Sequence, residues 1–198
     1  MRIIGGVDKG RRLHPPPATC TAIRPTADRV KEALFAIIGD FVRDAVVLDL
    51  FAGTGALGCE ALSRGARHVH FIDNDVQALN IIYRNIDLMT RGTERTTVTK
   101  FDLRRRSLAK KLATATSDQG FNLVFIDPPY RGTFIEPLMN TLADGSLLAN
   151  EAWVIVEEEK QHLPQKPFTN FSQTQIRRYG DTELGICRFI SPQQENRP

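Results

Sequence analysis

Val46-Val47-Leu48-Asp49-Leu50 runs straight into Phe51-Ala52-Gly53-Thr54-Gly55-Ala56-Leu57-Gly58, and no other stretch restricts the fold so much. Val46 to Leu50 is a short run of β-branched and aliphatic residues, as a parallel strand covered on both faces requires. The glycines that follow are spaced Gly-x-Gly-x-x-Gly. A turn this tight needs positive φ and no Cβ, so its backbone can approach a ligand whose polar end meets the free N–H groups of the next helix. The pattern predicts a strand, a nucleotide-holding turn and a helix; the competing reading is a glycine-rich connection with no ligand. NAD, FAD and S-adenosylmethionine all fit such a turn, and the motif alone does not choose.

The 198 residues suit one well-buried domain with a short appendage. The expected division is a basic hairpin and linker over 1–23, the main domain over 24–191 and a tail over 192–198. Hydrophobic residues at 41% and charged residues at 25% are ordinary globular values, and no apolar run is long enough to span a bilayer. With no signal peptide read at the amino end, a soluble cytoplasmic protein is expected. Cys20, Cys59 and Cys187 show no Cys-x-x-Cys spacing, which argues against a disulfide framework or a zinc site, and Cys59 reads as a small core residue. The net charge of +3 is uneven: residues 1–31 hold seven Lys and Arg against two Asp, +5, leaving −2 for the remainder. A basic segment on a nearly neutral body reads as an arm that contacts a polyanion, with Lys9, Arg11, Arg12, Arg24 and Arg29 as its cations.

In chain order, residues 2–13 read as two short strands around a Gly- and Asp-rich turn, and His14 with Pro15 to Pro17 as an extended linker. Thr26 is a plausible N-cap for a helix with the stripe Val30, Leu34, Ile37 and Ile38. After the glycine turn come a helix stopped by Gly65, a strand over 69–72, and a helix capped by Asp75 with the stripe Val76, Leu79, Tyr83 and Ile86. Further strands are predicted over 96–101, 121–126, 152–156, 174–178 and 184–190, the last two forming a hairpin. Arg104-Arg105-Arg106 and Glu157-Glu158-Glu159 read as solvated charge runs.

Four predicted strands close on an acid: Asp49, Asp73, Asp102 and Asp127, at intervals of 24, 29 and 25 residues. Each interval is about one strand, helix and return, so the acids line the carboxyl edge of an open parallel sheet, where ligands bind. Asp73 is placed to accept hydrogen bonds from ribose hydroxyls, whichever nucleotide is bound. What separates the candidates is Asp127-Pro128-Pro129-Tyr130, for which hydride transfer has no use. An exocyclic amine on a base has its lone pair drawn into the ring. To accept a methyl group it must be turned toward a tetrahedral shape, and two acceptors on its N–H bonds would do this. The Asp127 carboxylate can supply one and the Pro128 carbonyl, held by two prolines, the other. Tyr130 offers a flat face for the base.

Asp49 to Gly55 together with Asp127 to Tyr130 resembles the class I S-adenosylmethionine-dependent amino methyltransferases. Arg2-Ile3-Ile4-Gly5-Gly6, followed by Arg24-Pro25-Thr26-Ala27-Asp28-Arg29-Val30-Lys31-Glu32-Ala33-Leu34-Phe35, is similar to the RsmD family, which methylates the N2 amine of guanine 966 in 16S ribosomal RNA. The resemblance implies a Rossmann-like α/β fold with a seven-stranded, mostly parallel sheet, its last strand antiparallel, and helices on both faces. It implies S-adenosylmethionine as cofactor, with Asp49, Phe51, Ala52, Gly53, Thr54 and Gly55 forming its turn. It places Asp73 on the ribose, Asn74 and Asp102 with Leu103 around the adenine, and Arg24 to Thr26 closing the site. The implied partner is 16S ribosomal RNA in a small subunit or an assembly intermediate, met by a monomer without metal. Asp73 stands where Glu is common in such sites, a shorter reach to the ribose. The rivals are an adenine-N6 DNA methyltransferase, which would need a separate target-reading domain, and a glutamine-directed protein methyltransferase, which would carry Asn at position 127. A non-catalytic RNA-binding module and an NAD oxidoreductase fit the motifs less well.

Overall fold

The computed structural model describes residues 1–16, 28–105, 107–113, 120–129, 134–144, 147–164 and 168–191. Cys20, Arg24, Thr26, Arg106 and Tyr130, each singled out from the sequence, lie outside these. The chain forms two compact units, residues 1–102 and 103–198.

In the first unit, strands β1 (Val46–Leu50), β2 (His68–Asp73) and β3 (Thr96–Lys100) run parallel in the order β3-β2-β1, with Leu50 opposite Ile72 and Asp73 opposite Lys100. Every residue of β1 is buried, as its unbroken apolar run requires. Helices α1 (Asp28–Ile38), α2 (Ala56–Ser63) and α3 (Val76–Ile86) accompany these strands. Asp75 caps α3 as expected, its carboxylate accepting from the Gln77 N–H at 2.7 Å. The buried face of α3 is Ala78, Leu79, Ile81, Ile82, Asn85 and Ile86, whereas Val76 and Tyr83 are half exposed. The buried stripe is thus rotated from the expected one: Val76 sits in the first turn, and the core takes the face centred on Ile82. In α1 the buried set includes Lys31, a residue off the apolar stripe.

The expected amino-terminal hairpin is present as one antiparallel bridge, Arg2 to Arg12, rather than two strands. The Ile3 N–H donates to the Arg11 carbonyl and the Gly10 N–H to the Ile3 carbonyl, both at 2.9 Å. Ile3 and Leu13 are buried, so the hairpin is part of the first unit's core rather than a loose arm.

In the second unit, β4 (Phe121–Ile126) and β5 (Leu148–Glu159) run parallel, and β7 (Thr182–Phe189) runs antiparallel to both β5 and β6 (Phe171–Tyr179), giving the order β4-β5-β7-β6. The last strand in the chain is thus the reversed one. Helices α4 (Leu108–Ala113) and α5 (Ile135–Asp144) complete this unit; α5 buries Ile135, Leu138, Met139 and Leu142 and tolerates Pro137 because it falls in the first turn. With three and four strands in its two units, the fold is the expected α/β, Rossmann-like class. The three glutamates at the end of β5 are not a solvated run: Glu157 is 6% exposed and Glu158 1%. β5 continues through them because β7 covers it, Glu157 facing Leu184 and Glu158 facing Glu183 in register. Among the described residues, no helix is long and apolar enough to cross a membrane.

Candidate functional site

The turn after β1 has the backbone that its glycines demand. Phe51, Gly53 and Gly55 all have positive φ, at 56°, 54° and 72°. The turn is closed by the Gly55 N–H donating to the Ala52 carbonyl at 2.7 Å, and the Ala52 N–H ties it to the Ile72 carbonyl of β2 at 3.0 Å. Gly58 is needed for a different reason: a Cβ there would sit 2.2 Å from the Phe71 ring and 2.9 Å from an Asp49 carboxylate oxygen. Gly55 precedes α2 with no side-chain cap, so the start of that helix offers backbone donors beside the turn.

Two acids hold this loop from beneath. Asp49 is almost fully buried and accepts from the Gly58 N–H at 3.0 Å. Burial pushes its carboxyl up to about 8; the Gly58 hydrogen bond works against that rise and the nearby Asp73 charge adds to it. Asp73, at the end of β2, accepts from the Gly53 N–H at 2.8 Å with one oxygen and from the Asp75 N–H at 2.9 Å with the other. A carboxylate has about four lone-pair positions, so Asp73 can fix the glycine loop and still receive two hydroxyls. Ala52 and Thr54 are buried, Phe51 and Gly53 half-buried, Asn74 exposed, and Asp102 half-buried just beyond β3.

Two residues that the sequence did not mark build the rest of this region. Asn85 of α3 is fully buried; its amide donates to the Thr54 carbonyl at 2.8 Å and to the His14 carbonyl at 3.3 Å, and accepts from the His14 N–H at 2.7 Å. One side chain thus joins the glycine turn to the segment after the hairpin. Glu60 of α2, fully buried, accepts from the Ile4 and Gly5 N–H groups at 2.8 Å each and from Arg64 at 2.8 Å. Its fourth partner is the Lys31 ammonium at 3.4 Å, which also donates to the Arg2 carbonyl at 2.5 Å. An acid one turn into a helix after a glycine motif, paired with a lysine off the stripe of the preceding helix, was the available signal.

Of the basic residues assigned to the arm, Lys9, Arg12 and Arg29 are exposed. Arg11 is exposed too but is engaged at home: its guanidinium lies 3.1 Å from Asp8 and donates to the Leu88 carbonyl. Asp8 is itself buried and accepts from the Thr90 hydroxyl at 2.7 Å, so Arg11 braces the turn as well as charging it.

In the second unit, Asp127 is half-buried just past the end of β4, followed by a buried Pro128 and an exposed Pro129. Leu103 begins this unit and is half-buried. Among the described residues, no three His, Cys, Asp or Glu side chains cluster as a metal site requires.

A family model described as "Conserved hypothetical protein 95" matches residues 1–188. Ribosomal RNA small subunit methyltransferase D of Escherichia coli K12 is 38% identical over 168 residues, 84% of this chain and 79% of that protein. The chain belongs to the RsmD family of methyltransferases. YlbH of Bacillus subtilis is 33% identical over 190 residues, covering 95% of this chain and 98% of the relative. The solved structure of YhhF from Escherichia coli superposes with a TM-score of 0.78 at 34% identity, covering 96% and 98% of the two chains. More distantly, the structure of SMU.776 complexed with SAH shares the fold, with a TM-score of 0.59 at 12% identity over 81% of this chain and 48% of that one.

Proposed function

We propose that this RsmD-family chain transfers a methyl group from S-adenosylmethionine to the exocyclic N2 amine of a guanine in 16S ribosomal RNA, at position 966. The observation that carries the reading is one chain of this family holding both an acid-braced glycine turn after β1 and Asp127-Pro128-Pro129 at the end of β4. The donor set of the first suits an adenosyl cofactor: a positive-φ turn, an uncapped helix start and the remaining lone pairs of Asp73. Gly53 to Gly55 would lie along the methionine portion, Asp73 would receive the ribose, and Asn74, Asp102 and Leu103 would surround the adenine. Asp49, Phe51, Ala52 and Thr54 would shape the turn, and Thr26 would close it.

When bound, the cofactor supplies an electrophilic methyl group on a sulfonium. The chain's part is to prepare the nucleophile. Asp127 and the Pro128 carbonyl would accept the two amine hydrogens, rotating the lone pair out of the ring and toward the methyl carbon, while Pro129 stiffens the turn and Tyr130 stacks on the base. The exposed Lys9, Arg12 and Arg29, with Arg24 and in part Arg11, would take the phosphates of RNA in a small subunit or an assembly intermediate. The working protein is a cytoplasmic monomer that needs no metal.

The test is to map modified nucleosides in ribosomal RNA from cells with and without the gene, then to restore the mark with purified protein, S-adenosylmethionine and small subunits from the deleted strain. Loss and restoration of a single N2-methylguanosine at position 966 is expected. An N6-methyladenosine, or a mark on another RNA, would overturn the assignment. In single turnover with both substrates saturating, Asp127→Ala should lower the rate far more than either affinity.

A further inference from the structure

The register of β4 and β5 brings a second acid beside Asp127. These strands pair in parallel through Val124 with Val154, Phe125 with Ile155 and Ile126 with Val156. Continuing that register one residue past the end of β4 sets Asp127 beside Glu157 of β5, at neighbouring positions on one face. Glu157 is 6% exposed, and its Oε2 is buried without a hydrogen-bond partner. The acids around it are otherwise occupied: Glu183 binds Arg178 at 2.8 Å and the Gln161 N–H at 3.1 Å, and Glu158 accepts from the Glu159 N–H at 2.8 Å. Opposite Glu157 on β7 is Leu184, flanked on that face by the uncharged Thr182 and Ile186. Beyond Leu184 the same row reaches Arg177 of β6, an exposed side chain two interstrand spacings from Glu157. Along β5 the same face carries Ile155 and Glu159, and α5, which packs on β5, buries only apolar side chains. Among the described residues of these strands, the acids on the face of Glu157 are Asp127 and Glu159, and the cation in its row, Arg177, lies two strands away.

An uncompensated carboxylate next to a reacting centre is costly to keep unless it has a use. We propose that Glu157 and Asp127 form a carboxylate pair that takes up the proton shed by the methylated amine. This rests on the methyl-transfer reading above and adds a positioning residue to it. In the step, the amine lone pair forms the N–C bond, the C–S bond breaks with its electrons left on sulfur, and the sulfonium becomes a neutral thioether. The nitrogen, now cationic, gives one of its hydrogens to Asp127. A carboxylate takes that proton downhill, and a second negative charge beside it raises its affinity further, so that the two share the proton before releasing it to water.

Burial pushes the Glu157 carboxyl up to about 7, so Glu157 holds a proton below that pH and is charged above it. Only the empty pair accepts a proton readily, so the rate rises with pH through about 7. The experiment is single-turnover methylation of small subunits lacking the mark, with saturating S-adenosylmethionine, from about pH 5.5 to about pH 9, a span that brackets the titration. The wild type should show the inflection. Glu157→Gln should be slower at the alkaline end by at least about tenfold, a part of the roughly 10²- to 10⁴-fold that proton transfer contributes, and should lose the inflection while cofactor and subunit affinities hold. Glu157→Asp, which restores a carboxylate, should recover the inflection. A Glu157→Gln enzyme with the wild-type rate and profile would overturn the pair. If Glu157→Gln does not fold, Glu157→Asp decides alone: an inflection near neutrality supports the pair, and a flat profile overturns it. The two readings fail separately, since a normal rate in Asp127→Ala ends the amine-orienting role itself, whatever Glu157 does.

Discussion

Glu60 and Glu157 are both buried glutamates, one in each unit, and they are treated in opposite ways. Glu60 is met by two backbone N–H groups, an arginine and a lysine, so its charge is fully answered. Glu157 has an oxygen with no partner, and burial raises its carboxyl toward neutrality. A buried acid with a complete set of donors is a clamp, and removing it leaves orphans behind. A buried acid without them is a proton store, and removing it relieves the fold. Burial alone does not distinguish these roles; the supply of donors does.

The largest expected effect is on the clamp. Glu60→Gln leaves the Lys31 ammonium buried without a counter-charge and should cost about 3 to 5 kcal/mol, the usual loss when one member of a buried pair is removed. Calorimetric unfolding would measure it, and a change below about 1 kcal/mol would mean that Glu60 carries no more than a surface acid does. Next in size is Asp73→Ala, which frees the Gly53 N–H and, in the proposed cofactor site, would take a charged acceptor from the ribose. Hydrogen bonds to charged groups contribute about 1.5 to 3 kcal/mol each, so titration should show S-adenosylmethionine bound at least about tenfold more weakly. Gly58→Ala should follow at about 1 to 3 kcal/mol of stability, because its methyl would enter the space of the Phe71 ring. A Gly58→Ala protein that unfolds at the wild-type temperature would show that Phe71 moves aside freely.

The proton store gives a change of sign. The Glu157 carboxyl is raised in the folded chain above its unfolded value of about 4.3. The folded state therefore binds more protons between those limits, and stability should fall as pH climbs from about 4 to about 7. Asp49 has the same sign with a window reaching about 8. Glu157→Gln should leave the protein at least as stable as the wild type at the alkaline end and shrink the slope, with the remainder removed by Asp49→Asn. Denaturant melts across pH would show it, and a Glu157→Gln variant as damaged as Glu60→Gln would erase the distinction between the two acids. The smallest effect is electrostatic. Neutralising Lys9 and Arg12 together should flatten the salt dependence of RNA binding by about 0.7 to 0.9 in log-log slope for each phosphate that the protein no longer neutralises, with cofactor affinity unchanged.

What local pattern encodes was legible. The bounds of β1 and β4, the Asp75 cap and the positive-φ glycines all follow from short-range chemistry that needs no distant partner. What a partner decides was not. Lys31 sits off the apolar stripe of α1 and would be solvent-facing but for Glu60, twenty-nine residues on. Glu157 and Glu158 belong to a run that water would claim if β7 did not return across it. Tyr83 reads as core because it keeps a helical step with Leu79, yet the buried face of α3 passes through Ile82 and Asn85 instead. Asn85 is the sharpest case, since a polar residue on an apolar face gives no sign of whether it will meet backbone.

The reach of Asn85 also sets an order of events as the chain is made. The hairpin is complete by Leu13, yet its docking groups come much later: Glu60 receives Ile4 from 56 residues away, Asn85 receives His14 from 71, and Asp8 waits 82 residues for Thr90. The glycine turn is synthesised between these, and its Thr54 carbonyl has no holder until α3 follows. Contacts of such long sequence separation close late and together, because each must first overcome the entropy of the loop it shuts. The first unit should therefore leave the ribosome with its turn unformed and acquire hairpin, turn and α3 in one cooperative event.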